Sequence, residues 1–202
     1  MIEKLLPLTK NKLEILNLIY SKGETHMLDI AKELKIHPFS LQKTLKSLEP
    51  FILQRKAGRT ILLSLDHNVS SFNELLLILE DFKLRTNINK VNSLIKQLHN
   101  IFNYDNVIIC ALFGSYARLS FNENSDIDIL LVVKKRDSGL KERISQFSAL
   151  MQKDVSPLIM QEQSFIKALK NKEPALISLK EPSQRILIRG VSKFLDIFNK
   201  EK

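Results

Sequence analysis

Apolar residues in the first third of the chain recur at helical spacing. Leu13, Ile15, Leu16, Leu18 and Ile19 predict a helix over Lys12 to Tyr20, with Thr9 or Asn11 as its cap and Gly23 as its stop. Met27 to Leu34 repeats the pattern through Leu28, Ile30, Ala31 and Leu34. His37-Pro38 then opens a third helix through Leu41, Leu45 and Leu48, because proline suits a first helical turn. Apolar runs at Phe51–Leu53 and Ile61–Leu65 flank Ala57-Gly58-Arg59 and predict a hairpin.

Asp66 to Ser71 is polar and turn-like, and marks a boundary. Beyond it Leu75, Leu76, Ile78, Leu79 and Phe82, then Val91, Leu94, Ile95 and Leu98, predict two helices with a break near Thr86-Asn87. The continuous apolar run Val107–Phe113 fits a buried strand, and Asp126 to Val133 predicts a second. Further on, Phe165, Ile166 and Leu169 indicate a short helix and Pro174 to Leu179 another. Ile186 to Ile188 reads as a last strand ended by Gly190, and Val191 to Phe198 as a closing helix. The expected fold class is α+β: residues 1–66 as a first domain, 67–102 as a helical linker, and 103–202 as a small mixed sheet with flanking helices.

The first three helices and the hairpin, over about residues 8 to 66, resemble the winged-helix domains of bacterial and archaeal transcription factors. That resemblance implies a DNA-binding surface. Ser40, Gln42, Lys43, Thr44 and Lys46 would lie on or near the exposed side of the recognition helix, and Arg55, Lys56 and Arg59 at the wing. The alternative is a dimerisation or docking module whose lysines are merely solvated.

Composition narrows the partner. A formal net charge of +9 suits a polyanion, although a lysine-rich surface alone would produce the same figure. Cys110 is the only cysteine, which excludes an intrachain disulfide and fits a reducing interior. No apolar stretch approaches the roughly 20 residues of a membrane helix, and the first residues lack the apolar core of a secretory signal. A cytoplasmic protein without a membrane partner is expected. The four histidines show no zinc-ligand spacing.

The chemistry concentrates between residues 113 and 128. Side chains alternate across a strand, so Asp126 and Asp128 share one face while Ile127 and Ile129 enter the core. Carboxylates about 7 Å apart along one face repel each other unless a cation lies between them, an arrangement suited to Mg²⁺ held jointly with substrate phosphates. Gly114 allows backbone to approach a phosphate closely. Ser115 adds a hydroxyl where the chain turns from strand towards helix.

The stretch GSYARLSFNENSDID, from Gly114 to Asp128, resembles the signature of the DNA polymerase β-like nucleotidyltransferase superfamily, especially its minimal prokaryotic members. The likeness extends over about residues 103 to 200. It implies that Asp126 and Asp128 hold two Mg²⁺ ions and that Gly114 and Ser115 hold the β- and γ-phosphates of an NTP, with ATP the expected nucleotide. The implied reaction is in-line attack of an acceptor hydroxyl on the α-phosphate, with pyrophosphate leaving.

This chain departs from the family pattern in two places. Leu119 stands where the family usually has glycine, and either keeps the turn at a cost of about 1 kcal/mol or makes a different one. The family's third carboxylate, on a later strand, falls by alignment on Ser156, with Asp154 two residues earlier and on the same strand face. Asp154 is the expected third catalytic carboxylate and metal ligand; the alternative makes it a solvated strand-entry residue. Arg118 has two readings, a phosphate contact or a loop anchor paired with a carboxylate such as Glu123.

A nucleotidyltransferase moving a nucleoside monophosphate onto a hydroxyl is therefore expected, fused to a DNA-binding domain, with a homodimer as one possible assembly. The resemblance implies an antitoxin-like role with a protein acceptor, often a HEPN-domain toxin. The rival reading is a DNA-binding regulator whose nucleotidyltransferase-like domain senses nucleotide and turns over weakly or not at all.

Overall fold

The computed structural model describes residues 8–200, without the side chains at 87–90, 175 and 200. It divides into two compact units, 1–82 and 83–202.

In the first unit α1 (Lys10–Lys22) begins at Thr9, whose hydroxyl accepts from the Lys12 amide at 3.4 Å, and ends at Gly23. A two-residue strand, β1 (Thr25–His26), leads directly into α2 (Met27–Glu33). Next comes α3 (Pro38–Leu48), with Pro38 in its first turn and the His37 ring accepting from the Phe39 amide. Strands β2 (Ile52–Ala57) and β3 (Thr60–Leu65) form an antiparallel hairpin across the two-residue loop Gly58-Arg59, and β1 pairs with the other edge of β3. Ile15, Leu16, Ile19, Ile30, Leu41 and Leu45 are fully buried, at the apolar positions whose spacing predicts the three helices.

The long helix α4 (Phe72–Phe102) follows the polar segment, and its one non-helical residue is Val91, at φ −129° and ψ 23°. The expected break near Thr86-Asn87 is thus displaced by four residues. Polar Thr86-Asn87 weakens helix propensity locally, yet the interruption falls at a buried β-branched residue where packing outweighs propensity.

The sheet of the second unit has the order β6-β5-β4-β7. Strands β4 (Val107–Phe113) and β5 (Ile127–Val133) are antiparallel neighbours in its centre, almost entirely buried, as continuous apolar runs require. Between them lies α5 (Gly114–Ala117), a single turn. A crossover through α6 (Leu140–Met151) brings β6 (Val155–Gln161) parallel to β5. After α7 (Glu162–Lys170), α8 (Pro174–Lys180) and a 3₁₀ turn at Pro182–Gln184, β7 (Arg185–Arg189) pairs antiparallel with β4, and α9 (Val191–Lys200) closes the chain. One face of the sheet packs on Val91, Leu94, Leu98 and Phe102 of α4 and on Phe147 of α6, which meets Phe102 edge-on at 5.9 Å. Burial raises the Cys110 thiol to about 12, so it stays protonated as a core residue. The molecule is a mixed α+β protein, and no described helix is long and apolar enough to cross a membrane.

Candidate active site

The end of β4 and the start of β5 lie side by side, because Phe113 and Asp128 are register partners. This brings the Gly-Ser turn against the acidic strand. Gly114 has φ +66°, and a Cβ built there would stand 1.9 Å from Asp128 Oδ2 and 2.8 Å from its Cγ. Glycine is required twice over, by backbone conformation and by the space the carboxylate takes.

Asp128 is half-buried and Asp126 exposed at the mouth of the strand. Burial, then the neighbouring Asp126 charge, raise the Asp128 pKa above its usual range, and Arg118 pulls it part of the way back. The two aspartates and Arg118 therefore form one electrostatic group. Arg118 follows α5 and donates from Nη1 to Gln184 Oε1 at 3.1 Å. Its partner is thus not Glu123, whose backbone carbonyl instead accepts from the Lys153 ammonium. Gln184, 66 residues away in sequence, is a member of this site that no local motif signals.

Ser115 is half-buried in the α5 turn, and its carbonyl accepts from the Ser120 amide at 3.0 Å, closing the loop below it. Tyr116 is buried and stacks on Phe121 with the rings 4.3 Å apart. Leu119 keeps a left-handed conformation, φ 58°, so the turn usual for glycine is preserved while its side chain packs against the core.

On the other side of β5, Asp128 stands in register with Ser156, an uncharged neighbour about 4.8 Å away across the parallel ladder. Asp154 is exposed and precedes β6, with its carbonyl accepting from the Ile127 amide at 2.9 Å. Among the described residues no three or more His, Cys, Asp or Glu side chains are grouped closely enough to hold one metal ion. Asp128 thus meets Gly114 and lies within the influence of Arg118 and Asp126, and Asp154 does not complete a cluster of three with the two aspartates.

In the first unit Ser40, Gln42, Lys43 and Lys46 are exposed on α3, while Thr44 is half-buried with its hydroxyl bonded back to the Ser40 carbonyl at 3.0 Å. Lys56 and Arg59 are exposed in the hairpin. Arg55 is engaged, because its Nη2 donates to both carboxylate oxygens of Glu24 at 2.9 and 3.1 Å.

Comparison with known proteins finds similarity within the second unit. Residues 96–189 match the family described as polymerase beta, nucleotidyltransferase. No curated protein matches the chain. Among solved structures it is similar to a crystal structure of a toxin–antitoxin with AMP-PNP, at 20% identity over 55% of this chain and 82% of that one, with a TM-score of 0.37. It is also similar to a structure of a tri-AMPylated HEPN toxin in complex with MNT antitoxin from Shewanella oneidensis, at 19% identity over 55% and 79% of the two chains, with a TM-score of 0.34. Over residues 96–189 the chain is therefore similar to the polymerase beta-type nucleotidyltransferases.

Proposed function

We propose that this protein transfers a nucleoside monophosphate from an NTP, with ATP the expected donor, to the hydroxyl of an acceptor, and that its N-terminal unit is a winged-helix DNA-binding domain. The observation that carries the transferase reading is the contact of Asp128 with Gly114, which joins a turn able to approach a triphosphate with a pair of carboxylates.

The donor set fits Mg²⁺: Asp126 and Asp128 offer hard oxygen ligands, and their mutual repulsion is what a divalent cation would relieve. When bound there, Mg²⁺ supplies charge neutralisation of the triphosphate and activation of the acceptor hydroxyl. Gly114 and Ser115 hold the β- and γ-phosphates, and Arg118, braced by Gln184, contributes positive charge on the same side. Asp154 serves as the third carboxylate, which requires its exposed side chain to swing towards the pair once substrate is present. The acceptor is a protein hydroxyl, the class implied by the resemblance to minimal prokaryotic nucleotidyltransferases.

The N-terminal reading rests on the exposed polar and cationic residues of α3 and on Lys56 and Arg59 of the hairpin, a pattern suited to base edges and phosphates. A second reading keeps this DNA-binding unit and makes the nucleotidyltransferase domain a sensor with weak or no turnover. It draws on the one observation that Ser156 stands beside Asp128 where an acid is usual in the family.

Label transfer from each α-labelled NTP with Mg²⁺, into purified protein and cell lysate, separates the two. Transfer by the wild type that disappears in Asp126→Asn/Asp128→Asn supports the transferase, and its loss in Asp154→Asn assigns the third carboxylate. Saturable NTP binding without transfer or pyrophosphate release supports the sensor.

A further inference from the structure

The exit of β5 lies seven residues beyond its acidic entrance, roughly 20 Å along the strand, and its chemistry is opposite. Lys134, Lys135 and Arg136 leave the strand together, and all three are exposed. With Arg143 of α6 they line an open cleft of about 700 Å³. A second cleft, of about 590 Å³, meets the first at Asp105 and Lys134 and adds Arg189 and Lys193. Six cations thus face three carboxylates, Asp105, Asp137 and Glu162.

One of those carboxylates, Glu162, is neutralised by Lys193, which leaves five cations facing Asp105 and Asp137. Asp137 accepts from the Tyr104 hydroxyl at 2.8 Å and the Gly139 amide at 2.9 Å, and Glu162 pairs with Lys193 at 2.6 Å. The cationic loop is also held in shape. Asn106 accepts from the Lys134 amide through its carbonyl and from the Lys135 amide through its side chain, at 2.9 and 3.1 Å, and its amide group donates to the Lys135 carbonyl at 3.0 Å. Arg143 lies 4.4 Å above the Tyr104 ring.

We propose that this surface binds a single-stranded nucleic-acid segment through its phosphates, at a site separate from the candidate active site and independent of the transferase reading. Among the described residues none of the exposed large apolar side chains lines either cleft, and the one nearby, Ile159, lines the adjoining cleft beyond Arg136 and Asp137, so the cluster of apolar anchors that a protein partner uses is missing from the cationic surface itself. The surface is concave, which disfavours a flat membrane and suits a single strand, whereas a duplex is broad and convex. Phosphodiesters need only spaced cations on a supported backbone.

The test is fluorescence anisotropy of labelled dT15 and rU15, and of a 15-base-pair duplex, with the full chain over a salt series. Three variants are compared with wild type: Lys134→Glu/Lys135→Glu/Arg136→Glu, a charge-matched Lys167→Glu/Lys172→Glu/Lys180→Glu, and Lys43→Glu/Lys46→Glu in the first unit. The first is expected to weaken single-strand binding at least about tenfold and to lower the salt slope by about 2, since each phosphate contact contributes roughly 0.7. The charge-matched variant should retain single-strand binding, whereas Lys43→Glu/Lys46→Glu reports on duplex binding by the first unit. Binding of either oligonucleotide in this pattern supports the surface, and the tighter of the two names the sugar. Equal single-strand binding by the first variant and wild type, an equal loss in the charge-matched variant, or tighter duplex binding lost in the first variant would each overturn the proposal. Should the triple variant melt at a lower temperature, Lys135→Glu and Arg136→Glu singly replace it, each expected to weaken binding about threefold.

Discussion

Gly114 and Asp128 are locked together: the carboxylate fills the space in which any β-carbon at position 114 would sit, 1.9 Å from Oδ2. Alanine there must also adopt φ +66°, at a cost of about 1–2 kcal/mol before any clash is counted. Gly114→Ala is expected to lose nucleotide binding and lower the melting temperature, whereas Ser115→Ala weakens binding and leaves the melting temperature unchanged. Calorimetric titration with a non-hydrolysable NTP and a thermal melt measure both.

The raised Asp128 pKa has a definite sign in stability. A carboxyl whose folded pKa lies above 3.8 contributes stability fully present below that pH and lost as pH rises through the folded value. Asp128→Asn should therefore melt higher than wild type at pH 7, by about 1–3 °C, and at the same temperature at pH 3. Because Asp126 is the second cause of the shift, Asp126→Asn should lower the Asp128 pKa. A carbon-detected NMR titration of the carboxyls reads it directly.

Ser156 stands in register with Asp128, so Ser156→Asp places a third carboxylate where the sheet already points. Without metal this variant should raise the Asp128 pKa further. With Mg²⁺ it should melt higher than wild type and transfer label faster, by about tenfold or more if one well-placed ligand contributes about 1.4 kcal/mol to the transition state. Melting curves with and without Mg²⁺ in large excess, beside the transfer assay, check both outcomes.

Arg55 and Arg59 lie close in the hairpin but differ in partners. Arg55 is tied to Glu24, whereas Arg59 is exposed at the turn. Under the DNA-binding reading Arg59→Ala should weaken duplex binding and reduce its salt slope by about 1, while Arg55→Ala changes binding less and Glu24→Ala strengthens it by freeing a cation. Anisotropy with duplex DNA at several salt concentrations measures the ordering of the three variants.

The order of residues along the chain already carries the elements and the residues proposed for the centre of the candidate site. Leu41, Leu45 and Leu48 predict α3 because helical spacing is a property of the backbone, and Val107–Phe113 predicts β4 because a run of apolar residues is stable only when covered on both faces. Gly114-Ser115 and Asp126-Ile127-Asp128 stand close enough in the chain for one strand–turn–strand unit to bring them together. What depends on register and on distant partners comes only with the packed fold. Only the pairing of β5 with β6 sets Ser156 beside Asp128 and leaves Asp154 before the strand. Only the return of the chain through Pro182–Gln184 supplies Gln184 to Arg118, and only the strand order β6-β5-β4-β7 gathers Lys134, Lys135, Arg136, Arg143, Arg189 and Lys193 at one end of the sheet. Local periodicity follows from dihedral geometry and is written residue by residue. Register and distant convergence arise when separate apolar faces find one mutual packing, so no short stretch of sequence carries them.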